Sequence, residues 1–134
     1  MFFSTETEVI ALAGAFYQQK LRFSQWDKAT QLTVTLYYGL RFPYRMAFEL
    51  ISDRVRKMGL RPQFTPEQRL ELEASIDRWL LRARSFASEH RNIDDFAALT
   101  NIFIAEHWRS DEPYPGAVPA HIFEADTARL GRAA

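Results

Sequence analysis

The sequence predicts an all-α protein, a single-domain bundle of five or six helices spanning residues 1–134. Apolar residues recur at helical spacing along most of the chain. Helix-start signals stand in front of several of those stripes. Only one short segment alternates as a strand would, and it has no second strand to pair with.

Thr5-x-x-Glu8 reads as a capping box. Val9, Leu12, Ala13 and Phe16 follow at helical spacing, which predicts a first helix at about 5–22. Ser24 is the expected cap of a second helix through Tyr38, with Trp26, Ala29, Thr33, Leu36 and Tyr37 as its stripe. The segment Gln31 to Leu40 also alternates (Leu32, Val34, Leu36, Tyr38, Leu40) and is rich in β-branched and aromatic residues. A lone strand would lack a ladder, so helix is the expectation here too.

Pro43 suits the first turn of a third helix. Ala47, Phe48, Ile51, Val55 and Met58 mark its buried face, and Gly59 is the expected stop. Thr65-Pro66-Glu67-Gln68 combines an N-cap, a proline at the first helical position and a capping-box glutamine, so a fourth helix begins there. Its stripe runs Leu72, Ile76, Trp79, Ala83, Phe86. Asn92 is the expected cap of a fifth helix carrying Asp94 and Asp95 in its first turn. Residues 110–119 hold three prolines and a glycine and read as an irregular segment, followed by a short helix or tail at 120–130. One core is expected, built on Leu12, Phe16, Phe48, Ile51, Ile76, Trp79 and Phe86.

The chain has no cysteine, which removes disulfides, thiolate metal sites and a cysteine nucleophile. Its longest apolar run, Val9 to Tyr17, is far short of the ~20 residues that span a bilayer. No basic region opens the chain, so no secretory signal is read, and a cytoplasmic protein with no membrane contact is expected.

No P-loop, dinucleotide fingerprint, H-E-x-x-H or G-x-S-x-G stands in the sequence. The densest potential ligand cluster is Glu106, His107, Asp111, Glu112 and His121, with Glu124 and Asp126 beyond, and it matches no standard metal spacing. The acidic pairs Asp94–Asp95 and Asp111–Glu112 read as helix-start charge and loop solvation. No catalytic residue, metal or cofactor is therefore expected.

Charge is balanced overall at 17 basic and 17 acidic residues, but it is unevenly placed. Residues 41–91 hold 11 basic and 7 acidic side chains, and residues 92–134 hold 3 and 7. Arginine makes up 14 of the 17 cations, and it is the better bidentate partner for phosphate or carboxylate. A nucleic-acid-binding regulator using segment 41–91 is thus one reading, with Arg54, Lys57, Arg61, Arg78 and Arg82 as its candidates. Against it, about seven residues (Gly59 to Thr65) separate the third and fourth helices, longer than a helix-turn-helix turn. Glu67, Glu71, Glu73 and Asp77 would also repel phosphates.

The favoured reading is a non-enzymatic protein-binding module or modulator, such as an adaptor, an antitoxin-like protein or a mobile-element-encoded inhibitor of a larger complex. Its partner would be another protein or a second copy in a homodimer. Aromatics make up 14% of the chain, and large rings anchor interfaces as well as cores. The fourth helix carries a second apolar stripe. At 100° per residue, Leu70, Ala74 and Leu81 fall opposite Leu72, with Asp77 beside the gap between them. Either this helix is central to the bundle, or its second face meets another chain.

Overall fold

The computed structural model describes residues 2–22, 25–58 and 65–109. They form five helices and no strand: α1 (Glu6–Tyr17), α2 (Lys28–Arg41), α3 (Tyr44–Lys57), α4 (Pro66–Glu89) and α5 (Phe96–His107). Ser24, Gly59, Arg61, Pro62 and the segments 110–119 and 120–130 lie outside the described residues.

The Thr5–Glu8 capping box forms as the sequence predicts. The Thr5 side chain accepts from the Glu8 amide, and the Glu8 carboxylate accepts from the Thr5 amide at 3.1 Å. α1 then ends at Tyr17, five residues before the expected end at 22. Gln19 adopts a left-handed φ of 60°, its amide donates to the Phe16 carbonyl at 3.1 Å, and the Lys20 amide donates to the Ala15 carbonyl at 2.9 Å. This is a Schellman ending with glutamine where glycine is usual.

α2 is capped by Asp27, whose carboxylate accepts from the Thr30 amide at 2.8 Å. It is the central helix, packing against all four others. The strand-like alternation in its sequence follows from that position. Every second residue on a helix turns by about 200°, so alternate residues face opposite sides. Leu32 and Leu36 enter one apolar cluster, while Val34 and Tyr38 enter another. Thr33 and Thr35 are buried as well, and their hydroxyls donate to the carbonyls four residues back, at 2.7 and 2.8 Å.

The expected single core is thus two clusters with α2 and α4 contributing to both. Phe16, Trp26, Val34, Tyr38, Ile51 and Ile76 belong to the first. Leu32, Leu36, Trp79, Phe86, Leu99 and Phe103 belong to the second. Phe48 and Leu12 are only partly buried. Gly39 permits the close approach of α2 to α4, since a Cβ there would stand 3.2 Å from Leu80 Cδ2.

Pro43 sits at the N-cap of α3 rather than within its first turn. α5 starts later than expected. Asp95, not Asn92, is its N-cap and accepts from the Ala97 amide at 3.0 Å, so Asp94 and Asp95 precede the helix. The chain first makes a turn in which the Ile93 amide donates to the His90 carbonyl, and Ile93 packs on the second cluster. The N-terminal segment is fastened to α5 by Asn101. Its Oδ1 accepts from the Phe2 and Phe3 amides at 3.2 and 3.0 Å, and its Nδ2 donates to the Phe3 carbonyl at 2.8 Å.

Candidate interaction face on α4

The phase of α4 is set at its first turn. Thr65 accepts from the Gln68 amide at 3.2 Å, and the Gln68 side chain accepts from the Thr65 amide at 2.9 Å, with Pro66 at the first helical position. From that start the helix buries Leu72, Ser75, Ile76, Trp79, Leu80, Ala83 and Phe86. The second stripe is turned away from this core. Leu70 is 66% exposed and Leu81 54% exposed, and Ala74 between them is exposed too. α4 is therefore not the central helix of the bundle, a place taken by α2.

Asp77 lies beside the stripe, half-buried, and accepts a hydrogen bond from the Tyr44 hydroxyl at the start of α3. Arg84, one turn beyond Leu81, closes the end of α2. Its guanidinium donates to the Gly39 and Phe42 carbonyls at 3.3 and 3.4 Å and lies 5.6 Å from the centre of the Tyr44 ring. A cation there complements the negative end of the α2 dipole. Next to it is an open hollow of about 390 Å³ lined by Gly39, Leu40, Phe42, Arg84, Ser88 and Arg91, among others. Tyr44, Phe42 and Arg84 thus flank the stripe, and the sequence did not single them out. Arg84 is recoverable from its position on the helical wheel. Tyr44 and Phe42 arrive only through the packing of the α2–α3 corner.

The basic candidates are placed differently. Arg54 donates to the Tyr17 carbonyl at 2.7 Å, stacks 4.9 Å from the Tyr17 ring and pairs with Asp53. Lys57 reaches the same carboxylate at 3.1 Å. Burial raises the Asp53 pKa, but the hydrogen bonds and charges of Lys57 and Arg54 outweigh it and hold the carboxyl below its ordinary range. The two cations therefore share one firmly ionised acid. Arg82 lies 4.6 Å from the centre of the Trp79 ring, and Arg78 is exposed. Arg61 is outside the described residues.

Of the potential metal ligands, only Glu106 and His107 are described. His107 ends α5 and sits edge-on to Trp79 and Phe103, 5.1 and 4.8 Å between ring centres. Glu106 lies 3.7 Å from His90. Among the described residues, no three His, Asp or Glu side chains gather as a metal site would need, and no helix is long and apolar enough to cross a membrane.

No protein-family model matches the chain, and comparisons with curated proteins and with solved structures give no match.

Proposed function

We propose that the chain is a non-enzymatic protein-binding module whose contact surface is the outer face of α4, around Leu70, Ala74, Asp77 and Leu81. The observation that carries this is the exposure of Leu70 and Leu81 on a helix whose opposite face already supplies both core clusters. An apolar stripe at i, i+4 and i+11 adds nothing to the core from that side. Helices that dock on another protein present anchors at this kind of spacing.

The phosphate-binding reading has weaker support. Arg54 and Lys57 are occupied with Asp53, and Arg54 with Tyr17 as well. Charges so engaged have less to offer a backbone phosphate.

The test compares the wild-type chain with Leu81→Glu as baits in an extract of the native host, read by quantitative mass spectrometry with copies of the bait itself counted. The expected result is a bound protein, or a second copy, that the variant fails to hold. Equal capture by both baits overturns the reading. A nucleic acid retarded at low salt, with affinity falling steeply as salt rises, would replace it by a phosphate contact.

A further inference from the structure

We infer that the occupant of this face is a second copy of the chain, joined through α4 lying antiparallel to the partner's α4 about a two-fold axis. This pairing rests on the protein-binding reading above and names its partner.

A two-fold interface uses the same patch on both subunits, so the patch must complement itself. The charges of α4 have that property. Its first half, residues 66–77, carries Glu67, Glu71, Glu73 and Asp77 against Arg69 alone. Its second half, residues 78–89, carries Arg78, Arg82 and Arg84 against Glu89 alone. Antiparallel pairing lays each half on its opposite, whereas parallel pairing would lay like on like. The helix dipole favours the same polarity, but its influence fades beyond the terminal turns. Glu71, Glu73, Asp77 and Arg78 lie further in, where the dipole gives no reason for the division.

The apolar stripe has the same symmetry. With the axis between Ser75 and Ile76, Leu70 lies level with the partner's Leu81. The small side chain of Ala74 stands next to the axis, where the two backbones come closest. Glu71 and Arg78 project from one flank of the stripe, about 20° apart on the helical wheel. In this register Glu71 lies about 3 Å along the axis from the partner's Arg78, and the symmetry makes the pair twice. Both side chains belong to exposed residues, and neither has an ion-pair partner among the described residues. On the other flank Glu73 comes within about 1.5 Å along the axis of the partner's Asp77, and each of these acids is engaged within its own subunit. Arg69 holds Glu73 at 3.3 Å, and the Tyr44 hydroxyl holds Asp77.

The experiment is a charge swap read by sedimentation equilibrium at low salt. The wild-type chain should sediment as a concentration-dependent dimer. Glu71→Arg and Arg78→Glu each turn two attractive contacts into repulsive ones and should each raise the dimer Kd about tenfold or more. The double variant Glu71→Arg/Arg78→Glu should return it toward the wild-type value. Both positions are exposed, so thermal melts should confirm that all three variants stay folded. A wild type that remains monomeric at every attainable concentration overturns the dimer, as does a double variant no tighter than the singles. A monomeric wild type whose captured partner is lost in Leu81→Glu would sink the dimer and keep the protein-binding reading. A monomer whose capture ignores Leu81→Glu would sink both.

Discussion

The Tyr38 hydroxyl donates to the Ala13 carbonyl at 2.6 Å and so ties the central helix α2 to α1. Tyr38 is buried against Phe16 and Phe42, with Tyr37 edge-on to its ring. Burial pushes its pKa up to about 12; the neighbouring Tyr37 adds to this, and the charge of Arg54 pulls partly back. An unfolded tyrosine ionises near pH 10. The fold therefore favours the neutral phenol, and its contribution is complete below pH ~10 and lost as pH rises toward the folded value. The melting temperature should fall between pH ~10 and ~12, and Tyr38→Phe should flatten part of that fall. At neutral pH the same substitution should cost about 1 kcal/mol for the lost hydrogen bond. An unchanged alkaline slope in Tyr38→Phe would assign the effect to other groups.

Gln19 offers a stabilising change. Its φ of 60° places a side-chain-bearing residue in the left-handed region, where Cβ crowds the backbone. Glycine meets no such penalty there, and Gln19 is exposed, so little packing is lost. Gln19→Gly should stabilise the protein by roughly 0.5–1 kcal/mol, measured as a higher denaturation midpoint at unchanged slope. Destabilisation instead would mean that the Schellman ending does not persist in solution.

The legible parts of the fold were those written locally. Both capping boxes, Thr5–Glu8 and Thr65–Gln68, form as read, because their hydrogen bonds lie within four residues. The end of α1 was illegible because glutamine gives no hint of a left-handed residue. The start of α5 was misplaced because Asn92, Asp94 and Asp95 are all acceptable caps, and the turn at His90–Ile93 selects the last of them. The alternation in α2 admitted two readings until its neighbours were known, since a helix buried on two sides and a half-buried strand share a two-residue period. The same gap affected the site. The wheel placed Leu70, Ala74 and Leu81 together, but whether another helix covered them depended on which helix is central, and that is a property of the whole packing.

Trp79 tests the second cluster. It is fully buried, packs with Leu36, Ala83 and Phe103, and meets the edge of His107. Trp79→Ala should destabilise the protein by about 3–5 kcal/mol, through lost burial and a cavity that α2 and α5 cannot fill. Urea unfolding followed by far-ultraviolet circular dichroism gives the value. An unchanged midpoint would show that the cluster does not hold α4 to α5.

Leu80 and Leu81 give the sharpest test of which way α4 faces. They are sequence neighbours of the same type in the middle of one helix, so local helix propensity affects both alike. Leucine and glutamate are also similar helix formers, so replacing either leucine with glutamate changes little within the helix itself. The two positions differ only in what surrounds them. Leu80 is fully buried in the first cluster and touches the Gly39 position of α2, whereas Leu81 is 54% exposed. Leu80→Glu puts a carboxylate into the apolar cluster that holds Val34, Ala47 and Ile76, and should cost several kcal/mol or prevent folding. Leu81→Glu leaves its carboxylate in water, three residues from both Arg78 and Arg84, and should shift stability by no more than about 0.5 kcal/mol. The melts belong at a protein concentration too low for self-association, so that lost pairing does not count as lost stability. If Leu80→Glu unfolds while Leu81→Glu melts with the wild type, the Leu70–Ala74–Leu81 stripe is a surface. If both unfold, that stripe is covered within the monomer, and the protein-binding face proposed for it is lost with it.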